Sequence, residues 1–186
     1  METGIMGNSR IENLEKAYDK RLTKDFSSNL NREVTNLSEK ELKDCIKTFL
    51  EENCICTLAT CSNDFPRATI LRYKSRDLKI YFLTEGGGKM HNIMENARVA
   101  VTVCGGYTGF QSVKGLQVWG RAVIVKPSDP AYAEGCRIIN LAARQDLQEA
   151  GLNQDIPEMF LVRIDIERAR FLSFPDAILN QSLYVA

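Results

Sequence analysis

The spacing of apolar residues changes from helical to alternating near residue 54, and that change organises the chain. Ile11, Leu14, Tyr18 and Leu22 recur every three or four residues after Ser9-Arg10-Ile11-Glu12, which has the spacing of a capping box. A first helix is predicted there. Ser38-Glu39-Lys40-Glu41 repeats the signal, and Leu42, Cys45, Ile46, Phe49 and Leu50 mark one face of a second helix. From Cys54 to Cys61 the period is two, as in a half-buried strand, and Asn63-Asp64 supplies turn chemistry. Arg67 to Tyr73 and Leu78 to Thr84 are rich in β-branched and aromatic residues, and the polar Lys74-Ser75-Arg76-Asp77 between them suits a four-residue hairpin loop. Further on, the pattern predicts a short helix over Lys89 to Glu95 and strands over Ala97 to Val103 and Leu116 to Val125. Ser128-Asp129-Pro130 starts a helix running to about Ala150, and a last long strand begins near Met159. The expected class is mainly β with flanking helices, divided into a helical N-terminal extension over residues 1–50 and a strand-rich domain over 51–186.

Composition narrows the function more than the fold. Lysine plus arginine balances aspartate plus glutamate at 24 each, so no overall field would hold DNA or RNA, and no nucleic-acid partner is expected. The start METGIMGNSR has no apolar core, and no run approaches the roughly 18 to 20 apolar residues of a membrane span. No membrane partner is expected, and the expected compartment is the cytoplasm. None of the six cysteines forms a Cys-x-x-Cys unit, and no metal site is expected.

The residues that point to chemistry lie between Pro66 and Ile93. If Tyr73 faces Leu78 across the hairpin, Arg67 faces Thr84 at its open end, where Gly86-Gly87-Gly88 leads into Lys89. A guanidinium, a hydroxyl, an ammonium and unpaired backbone N–H groups would then converge at a helix start, a set suited to a phosphate monoester. The reading depends on register, because a slip of one residue sends Arg67 and Thr84 to opposite faces. GGGK is not a nucleotide P-loop, since the Gly-x-x-x-x-Gly-Lys-Ser/Thr spacing is missing. His91, the one histidine, has no visible paired base or nucleophile, and no catalytic residue is assigned.

The ordered set Pro66-Arg67, RATILRY, IYFLT, the loop to Lys89, MHNIMEN, ARVAVTV and LQVWGRA resembles the pyridoxamine 5'-phosphate oxidase-like family of FMN-binding split barrels. The resemblance is strong from about Leu50 to Val125 and weaker over MFLVRIDIERARFLSF. It implies an antiparallel Greek-key barrel and a homodimer with FMN near the subunit interface. It also implies that Arg67 and Lys89 hold the FMN phosphate with the Gly88 backbone, and that Thr84 bonds the phosphate or the ribityl chain. Ala68, Thr69 and Ile70 would lie along the flavin ring, and Gln117 would bond its polar edge. The spacing from Thr84 to Lys89 is one residue shorter than the family leads one to expect.

The resemblance stops short of the true oxidases. Their tyrosine, arginine and serine at four-residue spacing are missing after the barrel strands, and so is their C-terminal Arg-x-His. Oxidation of vitamin B6 is therefore not expected. What the resemblance implies is an FMN-dependent oxidoreductase acting on an unidentified small molecule and reductant. A non-catalytic flavin-binding redox or stress module, or a haem- or deazaflavin-binding relative, remains open.

Overall fold

The computed structural model describes residues 4–30, 32–139 and 159–185. Eight strands form one antiparallel sheet: β1 (Ile55–Ser62), β2 (Phe65–Arg72), β3 (Lys74–Arg76), β4 (Lys79–Thr84), β5 (Arg98–Cys104), β6 (Lys114–Val125), β7 (Phe160–Ser173) and β8 (Ile178–Tyr184). Their spatial order is β2-β1-β5-β6-β7-β4-β3, with β8 also paired to β7. β2 and β3 lie at opposite edges of that order, yet only Tyr73 separates them in sequence. The sheet must curl until its two edges meet, which makes it a split barrel. Tyr73 fixes the junction: its ring is buried, its hydroxyl donates to Leu50 O at 3.0 Å, and its N–H donates to Cys54 O at 2.8 Å.

This topology corrects the expected hairpin. β2 pairs only with β1, whereas β4 pairs with β3 and β7, so no ladder places Arg67 opposite Thr84. The observed register sets Lys74 opposite Tyr81 and Arg76 opposite Lys79, with Asp77 and Leu78 as a two-residue turn, both at positive φ. Leu78 reads as a strand residue because it is apolar. Its side chain is buried while its backbone turns, and that burial offsets a conformation leucine rarely adopts. Asn63 and Asp64 form the other tight turn, between β1 and β2, as their chemistry predicts.

Among the described residues four α-helices flank the sheet: α1 (Gly4–Leu30), α2 (Glu39–Glu52), α3 (Gly88–Glu95) and α4 (Pro130–Ile139). α2 starts at the predicted capping box, with Ser38 N–H donating to Glu41 Oε2 at 2.8 Å and Glu41 N–H donating to Ser38 Oγ at 3.4 Å. Its Leu42, Ile46, Phe49 and Leu50 enter the same core as Leu58, Ile80, Val101, Val118 and Ile164. A boundary at residue 50 therefore runs through a shared core. Ser9 lies inside α1 and does not cap it, because the helix already includes Gly4. α4 begins where predicted, with Asp129 Oδ1 accepting from Ala131 N–H at 2.8 Å. The rest of the helix expected to reach Ala150 lies outside the described residues.

α1 meets the barrel in two different ways. Toward its C-terminal end, Phe26 and Leu22 pack with Phe174, Ala177 and Leu179. Further toward the N-terminus the contacts are ionic: Arg168 Nη2 donates to Glu15 Oε2 at 2.5 Å, and Arg170 pairs with Asp19, which also accepts from Asn180 Nδ2 at 3.0 Å. The Arg168 guanidinium also lies over the Trp119 ring, 4.6 Å from its centroid.

A candidate anion-binding site at the start of a short helix

Alternation along β2 divides the sequence-predicted residues between the two faces of the sheet. Arg67 pairs with Thr60 and Thr69 with Leu58, whose side chains are buried, so Arg67 and Thr69 share the inner face. Ala68 pairs with Ala59 and Ile70 with Thr57, on the outer face.

On the inner side the site is built around the start of α3. Thr60 carries a hydroxyl at a core position, a sequence signal that a buried polar partner is present. The partner is Asn92, whose Nδ2 donates to Thr60 Oγ1 at 3.1 Å with both residues buried. That bond fixes α3 against β1. The helix begins at Gly88 after an N-cap glycine, Gly87, at φ 83° with no side-chain cap. Gly86 and Gly87 both have positive φ, which a side chain would strain, and their path carries the chain from β4 into the helix. The Arg67 guanidinium packs on this start so closely that a Cβ added at Gly88 would stand 2.7 Å from Arg67 Nη2. Among the described residues Arg67 has no carboxylate partner.

Lys89 and Thr84 shape the loop from within. Lys89 Nζ donates to Gly86 O at 2.9 Å, and Thr84 Oγ1 accepts from Gly86 N–H at 3.2 Å. The Thr84 side chain is buried, so its hydroxyl holds the turn in place of standing free for a ligand. Arg67, Thr84, Gly88 and Lys89 are thus brought together, by the curl of the barrel and not by the expected ladder. An unpartnered guanidinium, a lysine and the first free N–H groups of an uncapped helix fit an anionic oxygen group such as a phosphate monoester.

The outer face presents registered rows that run across four strands and on to β7. One row is Ala68, Ala59, Ala100, Trp119 and Arg168; the next is Ile70, Thr57, Thr102, Gln117 and Arg170. Gln117 is exposed and lies three strand spacings from Ile70, roughly 14 Å along the sheet. The structure therefore does not bring Gln117 to Ala68 and Ile70 within one chain. The sequence gives the alternation of Gln117 with Trp119. The separation from β2 follows only from strand order, which local pattern does not carry.

Beyond the Gly86-Gly87 loop lies an apolar cleft of about 770 Å³, bordered by Met90, Met94, Ile124, Tyr132 and Phe160. His91 stands exposed at its edge, on α3. No helix among the described residues is long and apolar enough to cross a membrane.

The chain belongs to the pyridoxamine 5'-phosphate oxidase family, whose model matches residues 42–173. No curated protein matches it. Among solved structures it is similar to an FAD-binding protein of Mesorhizobium loti, at 25% identity and a TM-score of 0.54 over 72% of this chain and 90% of that one. General stress protein 26 of Bacillus anthracis aligns at 20% identity and a TM-score of 0.58, covering 78% and 99%. A haem storage protein of Vibrio cholerae aligns at 19% identity and a TM-score of 0.53, covering 68% and 90%. The shared architecture is the curled, antiparallel half-barrel with flanking helices.

Proposed function

We propose that this protein is a homodimeric, cytoplasmic FMN-binding oxidoreductase whose substrate is a small molecule other than a B6 vitamer. The observation that carries the reading is the unpartnered Arg67 guanidinium seated on the uncapped start of α3, beside Lys89. Arg67, Lys89 and the Gly88 backbone hold the phosphate. Ala68, Thr69 and Ile70 offer the strand along which the ring lies. Gln117 serves the polar edge of the ring from the second subunit, because within one chain it is three strands away. The flavin supplies the electron chemistry, and the protein positions it and excludes water.

A thermal-shift comparison tests the phosphate reading. FMN at about a hundred times its dissociation constant is expected to add roughly 2.7 kcal/mol of stability, and riboflavin much less. Equal shifts from the two would remove the argument from Arg67 and Lys89.

A second reading is a haem protein, and the apolar cleft of about 770 Å³ with His91 and Met94 at its border supports it. Relatives described as haem-binding lend it further support. The absorption spectrum of the purified protein separates a flavin from a haem in one measurement.

A further inference from the structure

Arg168 and Arg170 stand two residues apart on β7, so both lie on the outer face of the sheet, about 7 Å apart along the strand. Arginines on such a face ordinarily stand in water, yet these side chains are only 18% and 10% exposed. Two rings hold Arg168 in place: its guanidinium lies 4.6 Å from the Trp119 centroid and 5.6 Å from that of Tyr184. What faces the pair is α1. Glu15 reaches both arginines, and Asp19 pairs with Arg170 and accepts from Asn180 Nδ2. The fit is incomplete, because Nε of both arginines is buried without a hydrogen-bond partner, and a buried donor left unpaired is costly. A carboxylate not fixed to a helix would take Nε and Nη together, the fork that a guanidinium offers. Little else ties down this half of α1: Ile11, Leu14 and Tyr18 point away from the barrel, and among the described residues no apolar side chain before Leu22 joins a core cluster.

We propose that Arg168, Arg170 and Asn180 form a binding site for a small aliphatic dicarboxylate, that Glu15 and Asp19 occupy it as internal stand-ins, and that the ligand displaces the N-terminal half of α1. The stand-ins specify the ligand class: two carboxylates one helical turn apart, about 6 Å, meet two guanidiniums of similar spacing, and an amide adds a third donor. Displacement uncovers no core residue. Leu22 and Phe26, packed on Phe174, Ala177 and Leu179, keep the helix tethered, and the freed turns are too short to stay helical without packing. Because the stand-ins are part of the same chain, they compete at a high effective concentration, and α1 sets how tightly the site holds its ligand.

Glutarate is the probe, with acetate at the same ionic strength as the control for simple screening of the ion pairs. In calorimetric titration, the double variant Glu15→Gln, Asp19→Asn should bind glutarate roughly tenfold more tightly than the parent, because the internal competitor is gone. Arg170→Gln should abolish binding. Hydrogen exchange on the unaltered protein reads the displacement itself: amides of residues 12–20 should exchange roughly tenfold faster in glutarate than in acetate. A double variant that binds glutarate no more tightly than the parent, an Arg170→Gln protein that binds it equally well, or exchange at one rate in the two salts would each overturn the proposal.

Discussion

The start of α3 and the outer face of the sheet are both places where sequence-predicted site residues fall, and they differ in completeness. Around α3, one chain supplies a guanidinium, an ammonium, an uncapped helix and the buried Asn92–Thr60 bond that aligns them. On the outer face, Ala68, Ile70 and Gln117 are spread over four strands and left open. On the proposed reading, anion recognition is built into the single subunit, whereas a ring site on the outer face would require a second one. A variant that affects one region should leave the other nearly untouched.

The largest expected effect comes from charging the open face. Ile70→Glu should leave the subunit folded, since Ile70 is 74% exposed, but weaken the proposed dimer by about 3 kcal/mol or more through burial of an unpaired carboxylate. Sedimentation equilibrium reads this directly, and an unaltered dimer would mean that the outer face is not the interface. Arg67→Ala is next, with a loss of roughly 1.5 to 3 kcal/mol in FMN affinity by calorimetric titration and no change in the dimer. Arg67→Lys should recover only part of it, because an ammonium lacks the planar fork. Should both variants bind FMN like the parent, the phosphate lies elsewhere.

Smaller effects probe the loop and its surroundings. Gly87→Ala forces a side chain onto a residue at φ 83° and should cost about 1 kcal/mol of stability in urea unfolding. The pH profile should show Asp176, whose carboxyl is held below its usual range by the Ser173 hydroxyl and then by Lys114. A depressed carboxylate pKa contributes stability that is present above the unfolded value of 3.8 and lost as pH falls through the folded value. Because Asp176 is half exposed, Asp176→Asn should cost only some tenths of a kcal/mol at neutral pH, and that difference should disappear under acid. A difference that persisted at pH 2 would point to packing instead.

Much of this architecture was legible in local pattern. The capping box at Ser38, the Asn63-Asp64 turn, the alternation of β5 and β6 and the cap at Asp129 all rest on interactions within a few residues. What escaped depends on tertiary context. Leu78 turns because its side chain is buried, and β8 lies in a tail where no strand is predicted. Arg67 and Lys89 were singled out by residue type, and barrel closure sets the Arg67 guanidinium against Gly88, next to Lys89 in the chain. The inferred ladder failed because a polar stretch such as Lys74 to Asp77 does not reveal whether it is a loop or an edge strand. The apolar stripe on α1 predicts a helix but not which way that stripe faces. Nothing in its spacing says that Glu15 and Asp19 would find two arginines on a strand some 150 positions later.

The order of the strands also constrains how the molecule is made. β7 pairs with β6, β4 and β8, and it is the seventh of the eight described strands to leave the ribosome. Until it emerges, β1, β2, β5 and β6 form one piece and the β3–β4 hairpin another, with nothing in the sheet to connect them. Closure waits on contacts between residues far apart in sequence, the kind that makes β-rich chains fold slowly. A nascent chain ending before Phe160 would hold its finished strands with raw edges exposed, dependent on chaperones and prone to aggregate.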